Sequence, residues 1–160
     1  LSGTLDLSLI NGFDPQLGNT FDILTAAGGV NGVFATVNGV VMDPVTGEAL
    51  AVIYGPNDVT VEAALAGDIN RDGSIDFGDL ALLAPQFEMA GLFTWIGGDF
   101  NGNGLVNMAD LDLMALTFGM SPTSDPLGLT GADLAAMIPE PASGLLLAWG
   151  VLAIHKLRRR

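Results

Sequence analysis

The sequence predicts a mixed fold, in which a β-rich segment over residues 1–65 precedes a small helical domain over 66–120 and a hydrophobic helix near the carboxyl end. Three observations predict it. Short runs of β-forming residues separated by turn dipeptides fill the first part. A polar loop followed by an apolar stretch occurs twice in the second part. An apolar run that ends in basic residues occupies 139–160, after a linker and short helix over 121–138.

The β-rich segment contains five predicted strands, at residues 4–10, 20–24, 33–37, 49–54 and 59–65. Turn-forming pairs such as Asn11-Gly12 and Asn38-Gly39 separate them. This spacing fits either a small sandwich or the last coils of a β-solenoid. The chain begins with Leu1 and shows no signal-peptide pattern. We therefore expect it to be the carboxy-terminal piece of a longer exported protein, with residues 1–65 closing a larger domain.

The charge distribution excludes several classes of function. The net charge is −13, and Arg71 is the one basic side chain before Lys156, so the body of the chain would repel nucleic acid. Cysteine is absent, which excludes disulfides and thiolate metal sites. The single histidine, His155, lies among the basic residues of the tail. We expect no catalysis by these 160 residues, because no nucleophile–histidine pair or histidine metal site is available.

The helical domain is a duplication with an offset of 31 residues. Residues of the polar loop and of the apolar helix face both repeat, which indicates a duplicated structural unit. The identical pairs are Gly67/Gly98, Asp68/Asp99, Asn70/Asn101, Gly73/Gly104, Asp79/Asp110, Leu80/Leu111, Leu82/Leu113, Ala84/Ala115 and Phe87/Phe118. The leucines, with Leu83, Met114 and the two phenylalanines, are predicted to pack the two helices together.

Each loop has the spacing of an EF-hand calcium loop, in which oxygens at positions 1, 3, 5, 7, 9 and 12 surround the ion and glycine stands at position 6. In the first loop these positions are Asp68, Asn70, Asp72, the Ser74 carbonyl, Asp76 and Asp79, with Gly73 at the turn. In the second they are Asp99, Asn101, Asn103, the Leu105 carbonyl, Asn107 and Asp110, with Gly104 at the turn. Two Ca²⁺ sites are therefore predicted.

The two loops differ in charge. The first offers four carboxylates and the second two, so we expect the first to bind Ca²⁺ more tightly. Ile75 and Val106 occupy position 8, where an apolar residue can pair the two loops through a short β-bridge. Pro85 removes a backbone donor and is predicted to end or kink the first helix near Ala84.

Aspartate at position 12, the lack of entering helices and the paired loop-plus-helix units resemble type I dockerin repeats, over Gly67 to Gly119. The resemblance implies a calcium-dependent docking module that binds a cohesin domain, usually on secreted polysaccharide-degrading enzymes. At positions 10 and 11, where dockerins commonly carry hydroxyl pairs, this chain has Phe77-Gly78 and Met108-Ala109. The partner is therefore expected to be a non-standard cohesin-like domain, unless the module is a calcium-stiffened spacer.

The carboxyl end carries a separate signal. Residues 142–154 are almost wholly apolar, and a helix over 142–157 could enter a membrane with its basic end on the cytoplasmic side. The order of parts resembles the PEP-CTERM sorting signal of bacteria, with Pro139, Glu140 and Pro141 before the apolar run and Arg158, Arg159 and Arg160 after it. The resemblance implies recognition by an exosortase, cleavage near the motif, and delivery from the membrane to the cell surface or extracellular matrix.

Two functions follow from these predictions. In the first, the chain is the attachment end of an exported, non-catalytic surface protein. In the second, it is the docking end of a secreted enzyme of polysaccharide catabolism whose catalytic domain precedes Leu1. The β-repeat character of residues 1–65 favours the first.

Overall fold

A computed structural model describes residues 1–89, 91, 93–121 and 127–138, apart from the side chain of Met42. The sorting signal predicted at 139–160 lies outside the described residues, as do residues 122–126 of the predicted linker. The mixed fold class is confirmed. The strands are β1 (Thr4–Asp6), β2 (Thr20–Thr25), β3 (Thr36–Asn38), β4 (Val41–Asp43), β5 (Glu48–Tyr54) and β6 (Asp58–Leu65). The helices are α1 (Phe77–Leu83), α2 (Met108–Thr117) and α3 (Gly131–Ala135), with 3₁₀ turns at Ala84–Gln86 and Trp95–Gly97.

The strands form two small sheets. One is a four-stranded antiparallel sheet in the order β2-β6-β5-β4, and the other is the parallel pair β1–β3. The long hairpin β5–β6 is the centre of the four-stranded sheet, with Val52 opposite Val61. In β6 the buried residues alternate as a strand with one covered face requires, and the turn at 55–57 joins it to β5.

Two strand predictions need correction, and one observed strand was not predicted. The strand predicted at 4–10 ends at Asp6, since residues 8–10 pair with no strand of the described chain and lead into the Asn11 turn, where φ is 56°. The strand predicted at 33–37 is shifted to β3. Strand β4 was not predicted, because it has only three residues and is followed directly by the turn-forming pair Asp43-Pro44. Asp43 both ends β4 and accepts the Val45 N–H at 2.7 Å, which closes that turn.

The helices follow the predicted pattern with local differences. Helix α1 ends at Leu83 and Pro85 lies in a 3₁₀ turn, which confirms the effect predicted for the proline. Leu82 was predicted to pack in the core, but it faces solvent with 48% of its surface exposed. The short helix predicted within 121–138 is α3, which begins at Gly131 because the Thr130 hydroxyl accepts the Asp133 N–H and caps it there.

The two faces of β5 contribute to two hydrophobic clusters. Leu50 and Val52 pack with residues of β3 and β6, whereas Ala49 and Ala51 belong to the cluster built by the loops and helices of 66–138. The small alanine side chains let the helical unit approach the sheet closely. Within the second cluster, Trp95 packs edge-to-face on Phe100 with ring centroids 5.1 Å apart. Strand β5 therefore packs against β3 and β6 residues with one face and against the helical unit with the other.

Among the described residues, no helix has the length and apolar character needed to cross a membrane.

Candidate metal-binding loops

The duplicated unit of the sequence is repeated in the backbone. Residues related by the 31-residue offset adopt the same left-handed conformation, including two that are not glycine. The pairs, with φ in degrees, are Gly67 and Gly98 (109, 100), Arg71 and Gly102 (62, 76), Gly73 and Gly104 (85, 82), and Glu88 and Gly119 (57, 89). The positive φ at position 6 of each loop is the conformation for which that glycine was predicted.

Position 1 of each loop is an aspartate whose carboxylate accepts hydrogen bonds from backbone N–H groups of its own loop. Asp68 accepts the Asp72 N–H at 3.1 Å and the Gly73 N–H at 3.0 Å. Asp99 does the same in the second loop, accepting from Asn103 at 3.1 Å and Gly104 at 2.8 Å. These bonds hold positions 5 and 6 around the first carboxylate.

Positions 3, 5 and 9 repeat the same hydrogen bonds. Each position-3 amide oxygen accepts the position-5 N–H, and each position-5 oxygen accepts the position-7 N–H. Position 9 is the N-cap of the following helix and accepts the N–H two residues later. The residues concerned are Asn70, Asp72, Ser74 and Asp76 in the first loop, and Asn101, Asn103, Leu105 and Asn107 in the second.

Position 12 is a buried aspartate at the start of each helix. One oxygen of Asp79 accepts the Ile69 and Asn70 N–H groups at 2.9 and 3.1 Å, and the other accepts the Asp76 N–H at 3.1 Å. Asp110 makes the equivalent three bonds, and both side chains are fully buried. Each carboxylate therefore joins the beginning of its loop to the beginning of its helix, as a capping-box acceptor.

The two units interlock in a way that differs from the prediction for position 8. Ile75 and Val106 were predicted to pair with each other. Instead, Ile75 donates to the Met120 carbonyl at 2.9 Å and accepts the Gly119 N–H at 2.8 Å. Val106 accepts the Glu88 N–H at 2.9 Å, at the equivalent place after the first helix. Each loop thus pairs with the residues that follow the other unit's helix.

The environments of the two loops are unequal. The first is largely exposed at Asn70, Asp72 and Asp76, whereas Asp99 and Gly102 of the second are buried. Strand β3 covers the second loop, since the Val37 N–H donates to the Gly102 carbonyl at 2.7 Å. The loop with fewer carboxylates is therefore the one that is buried, as the cost of desolvating charge requires.

Burial dominates the electrostatics of the loop carboxylates. Desolvation raises the pKa of Asp68, Asp79 and Asp110, and raises that of Asp99 to about 6. Neighbouring carboxylates of the same loop add to the rise of the pKa at Asp68, Asp79 and Asp99, against the lowering effect of backbone N–H groups. Each loop thus holds concentrated negative charge at a cost to the folded state.

No basic side chain offsets that charge within the described part of the chain. The ion pair found there joins Arg71 to Glu62, and Glu62 belongs to β6 rather than to a loop. Backbone N–H groups stabilise the ionised form of each buried carboxylate in part, and a bound cation would stabilise it further. Every side-chain atom predicted to ligate the metal at the two sites is an oxygen, the ligand type that Ca²⁺ and Mg²⁺ prefer.

The spacing of the carboxylate side chains bears on whether these residues can hold a metal ion. In the described residues, no three His, Cys, Asp or Glu side chains are grouped closely enough to hold a metal ion. The second loop cannot meet that condition from its own residues, because only Asp99 and Asp110 of its predicted ligands are carboxylates. The hydrogen bonds from backbone N–H groups leave further lone pairs on each carboxylate. The donor set therefore fits a hard cation by its chemistry, and the ligand assignment stays a prediction.

Sequence reasoning missed the contacts that position the loops. The Trp95 indole N–H donates to the Asp68 carbonyl at 3.4 Å, so a residue before the second loop contacts the first. Arg71 and Gly102, both at position 4, contact the β-rich segment. The isolation of Arg71 in an anionic chain was the one available signal of its role, whereas no local pattern distinguishes Gly102 from a turn glycine.

Comparison of this chain with protein-family models, with curated proteins and with solved structures found no match. The functional assignment therefore depends on the residues and geometry of the loops.

Proposed function

We propose that residues 66–120 form a calcium-binding module that takes one Ca²⁺ in each loop. The observation that carries the proposal is the pair of buried carboxylates, Asp79 and Asp110, in equivalent loops and without a basic partner in the described residues. A divalent cation would neutralise charge that otherwise opposes folding. The twelve predicted ligands, named in the sequence analysis, supply side-chain and backbone oxygens in the EF-hand order.

Calcium suits this donor set better than magnesium. Mg²⁺ demands near-ideal octahedral geometry and keeps several water molecules, whereas Ca²⁺ accepts six to eight oxygens in flexible arrangements. Each loop offers six predicted ligand positions, drawn from carboxylates, amides and one carbonyl. A bidentate carboxylate or a water molecule would raise the number beyond six.

Calcium would act here as a structural ion. Binding to the folded state alone contributes about 4 kcal/mol when free Ca²⁺ is a thousandfold above its dissociation constant. The carboxylates that raise the cost of folding in the absence of metal are the groups that would bind it. We therefore expect loss of Ca²⁺ to loosen the loops and the starts of α1 and α2, where Asp79 and Asp110 join loop to helix.

The module is proposed to serve attachment in an exported protein rather than catalysis. Its dockerin-like plan favours a docking role, and Phe77 and Met108, at position 10 of their loops, are 62% and 40% exposed. They offer an apolar surface to a non-standard cohesin-like partner. The tail would be the substrate of an exosortase that moves the chain from the membrane to the cell surface. Replacing Pro139, Glu140 and Pro141 by alanine should then leave the tail uncleaved, as measured by the mass of the mature chain.

Terbium luminescence tests the calcium proposal directly, because Tb³⁺ replaces Ca²⁺ at oxygen sites and is sensitised by a nearby indole. The full chain with Trp149→Phe keeps Trp95 as its single tryptophan, and Trp95 contacts Asp68. Excitation of Trp95 should give Tb³⁺ emission that Ca²⁺ removes and equal Mg²⁺ does not. The emission should fall in the Asp68→Asn variant and persist in Asp14→Asn. Emission that survives Asp68→Asn, Asp99→Asn and their combination would refute the proposal.

A further inference from the structure

Both loops are attached to the β-rich segment at the same loop position, the fourth. In the first loop the Arg71 guanidinium pairs with Glu62 of β6. In the second the Gly102 carbonyl accepts the Val37 N–H of β3 at 2.7 Å. Arg71 and Gly102 have left-handed φ values of 62° and 76°, so position 4 has the same backbone conformation in both loops.

One residue, Gly102, connects the predicted metal ligand Asp99 to strand β3 in the second loop. The Gly102 N–H donates to the Asp99 carboxylate at 2.9 Å, while the carbonyl of the same residue accepts the Val37 N–H. In the first loop Asp68 accepts the N–H groups of the residues at positions 5 and 6, which directly follow Arg71. Position 4 therefore contacts the β-rich segment through its carbonyl or side chain, and it is joined to the position-1 carboxylate directly in the second loop and through its chain neighbours in the first.

The contact in the second loop is too close to tolerate a side chain. A Cβ on Gly102 would lie 2.2 Å from the Val37 carbonyl oxygen, and 3.1 Å from the Val37 Cβ. Beside it, a cavity of about 20 Å³ is lined by Asp99 and Gly102 on one side and by Val37 and Tyr54 on the other. This space is enough for about one water molecule. The loop and strand thus meet as a packed interface.

We infer that position 4 of each loop fastens the helical unit to the β-rich segment, so that metal bound in the loops stabilises residues 1–65 as well as the loops. This inference rests on the proposed calcium function. A cation that fixes Asp99 and Asp68 fixes the peptides hydrogen-bonded to them. The Val37 and Glu62 contacts then open less often, which is a coupling through contiguous hydrogen bonds.

Hydrogen exchange of the full chain, with and without saturating Ca²⁺, tests the coupling. We expect Ca²⁺ to slow exchange of the Val37 amide by about 10-fold or more, because its opening becomes linked to loss of metal. Calorimetry on the same samples reports binding independently. Calcium that binds without slowing exchange in β3 or β6 would overturn the inference and leave the proposed function standing. Absence of any binding heat would overturn both.

Two variants locate the fastening. In Gly102→Ala, the slowing of Val37 exchange by Ca²⁺ should fall below about threefold, since the Cβ displaces the strand. Gly12→Ala is its matched control, because Gly12 lies outside both loops and has a similar φ of 69°, but an added Cβ meets nothing within 4 Å. At saturating Ca²⁺ the control should keep the full slowing at Val37. Equal slowing in both variants would contradict the role of Gly102.

The first loop provides a test that leaves the loop sequence intact. Glu62→Gln removes the partner of Arg71 from the sheet side, and Glu48→Gln on the neighbouring strand makes the same charge change without that pair. Glu62→Gln should reduce the Ca²⁺-induced protection of β6 at least about twofold, and Glu48→Gln should not. This pair decides the question even if Gly102→Ala does not fold. Unchanged protection of β6 in Glu62→Gln would contradict the role of Arg71.

Discussion

Replacing Asp110 by asparagine should strongly weaken the second calcium site while leaving the metal-free fold nearly intact. Asp110 is fully buried and accepts N–H groups from Phe100, Asn101 and Asn107. The amide can keep the two bonds on one side, but its NH₂ then faces the Asn107 N–H. Such a donor–donor contact costs about 1–3 kcal/mol. Loss of a buried charge whose pKa is raised by desolvation offsets part of this cost in the metal-free protein.

With calcium present the effect of Asp110→Asn should be larger. If the variant binds Ca²⁺ about 100-fold more weakly, a concentration about a thousandfold above the original dissociation constant is only about tenfold above the new one. The linkage contribution then falls from about 4.1 to about 1.4 kcal/mol. For a chain of this size each kcal/mol shifts Tm by about 2–4 °C, so the calcium-loaded Tm should fall by about 5–11 °C.

Asp112→Asn is the control for this experiment. Asp112 lies on the same helix and loses the same charge, but it is exposed and is not a predicted ligand. Calorimetry should find one of the two calcium sites strongly weakened in Asp110→Asn and neither weakened in Asp112→Asn, and thermal unfolding should show the Tm loss in the first variant alone. Two unweakened sites in Asp110→Asn would refute the reasoning.

Three further predictions follow. In calcium-free protein, burial raises the pKa of Asp99 from 3.8 to about 6, so the folded state binds this proton more tightly than the unfolded state. The Tm should therefore fall as pH rises from about 4 to 6. A Tm that rises across this range would contradict the direction of this effect. Thr117→Val removes the hydroxyl that donates to the Ala66 carbonyl and should cost about 1 kcal/mol by denaturant unfolding, unlike Thr46→Val in the exposed turn. Asp79→Asn should abolish the tighter of two calorimetric sites, and loss of the weaker one would reverse the assignment.

The sequence predicted those features of the site that depend on local chemistry. Glycine at position 6 and the helix break at Pro85 follow from backbone preferences of single residues. Both glycines occur where the duplication placed them. The 31-residue offset predicted equivalent loops, and the repeated φ values at Gly73 and Gly104 agree with it.

Features that depend on distant partners could not be predicted in this way. The pairing of Ile75 with Gly119 and Met120 requires the whole of α2 to be in place. Likewise, Ala49 and Ala51 have the pattern of ordinary strand residues, and only the packed structure places them against the loops. Short strands such as β4 are also weakly specified, because three residues carry too little alternation to be recognised.

A calorimetric Ca²⁺ titration of the full chain from a chelated start, followed in parallel by helical circular dichroism, tests the central claim most directly. The loops predict two unequal sites per chain, and the joining of each loop to its helix by Asp79 and Asp110 predicts a gain of helix as they fill. Binding of two ions with that gain would support a calcium-binding module. No heat and no change of structure would mean that the duplicated loops are turns held by backbone hydrogen bonds alone.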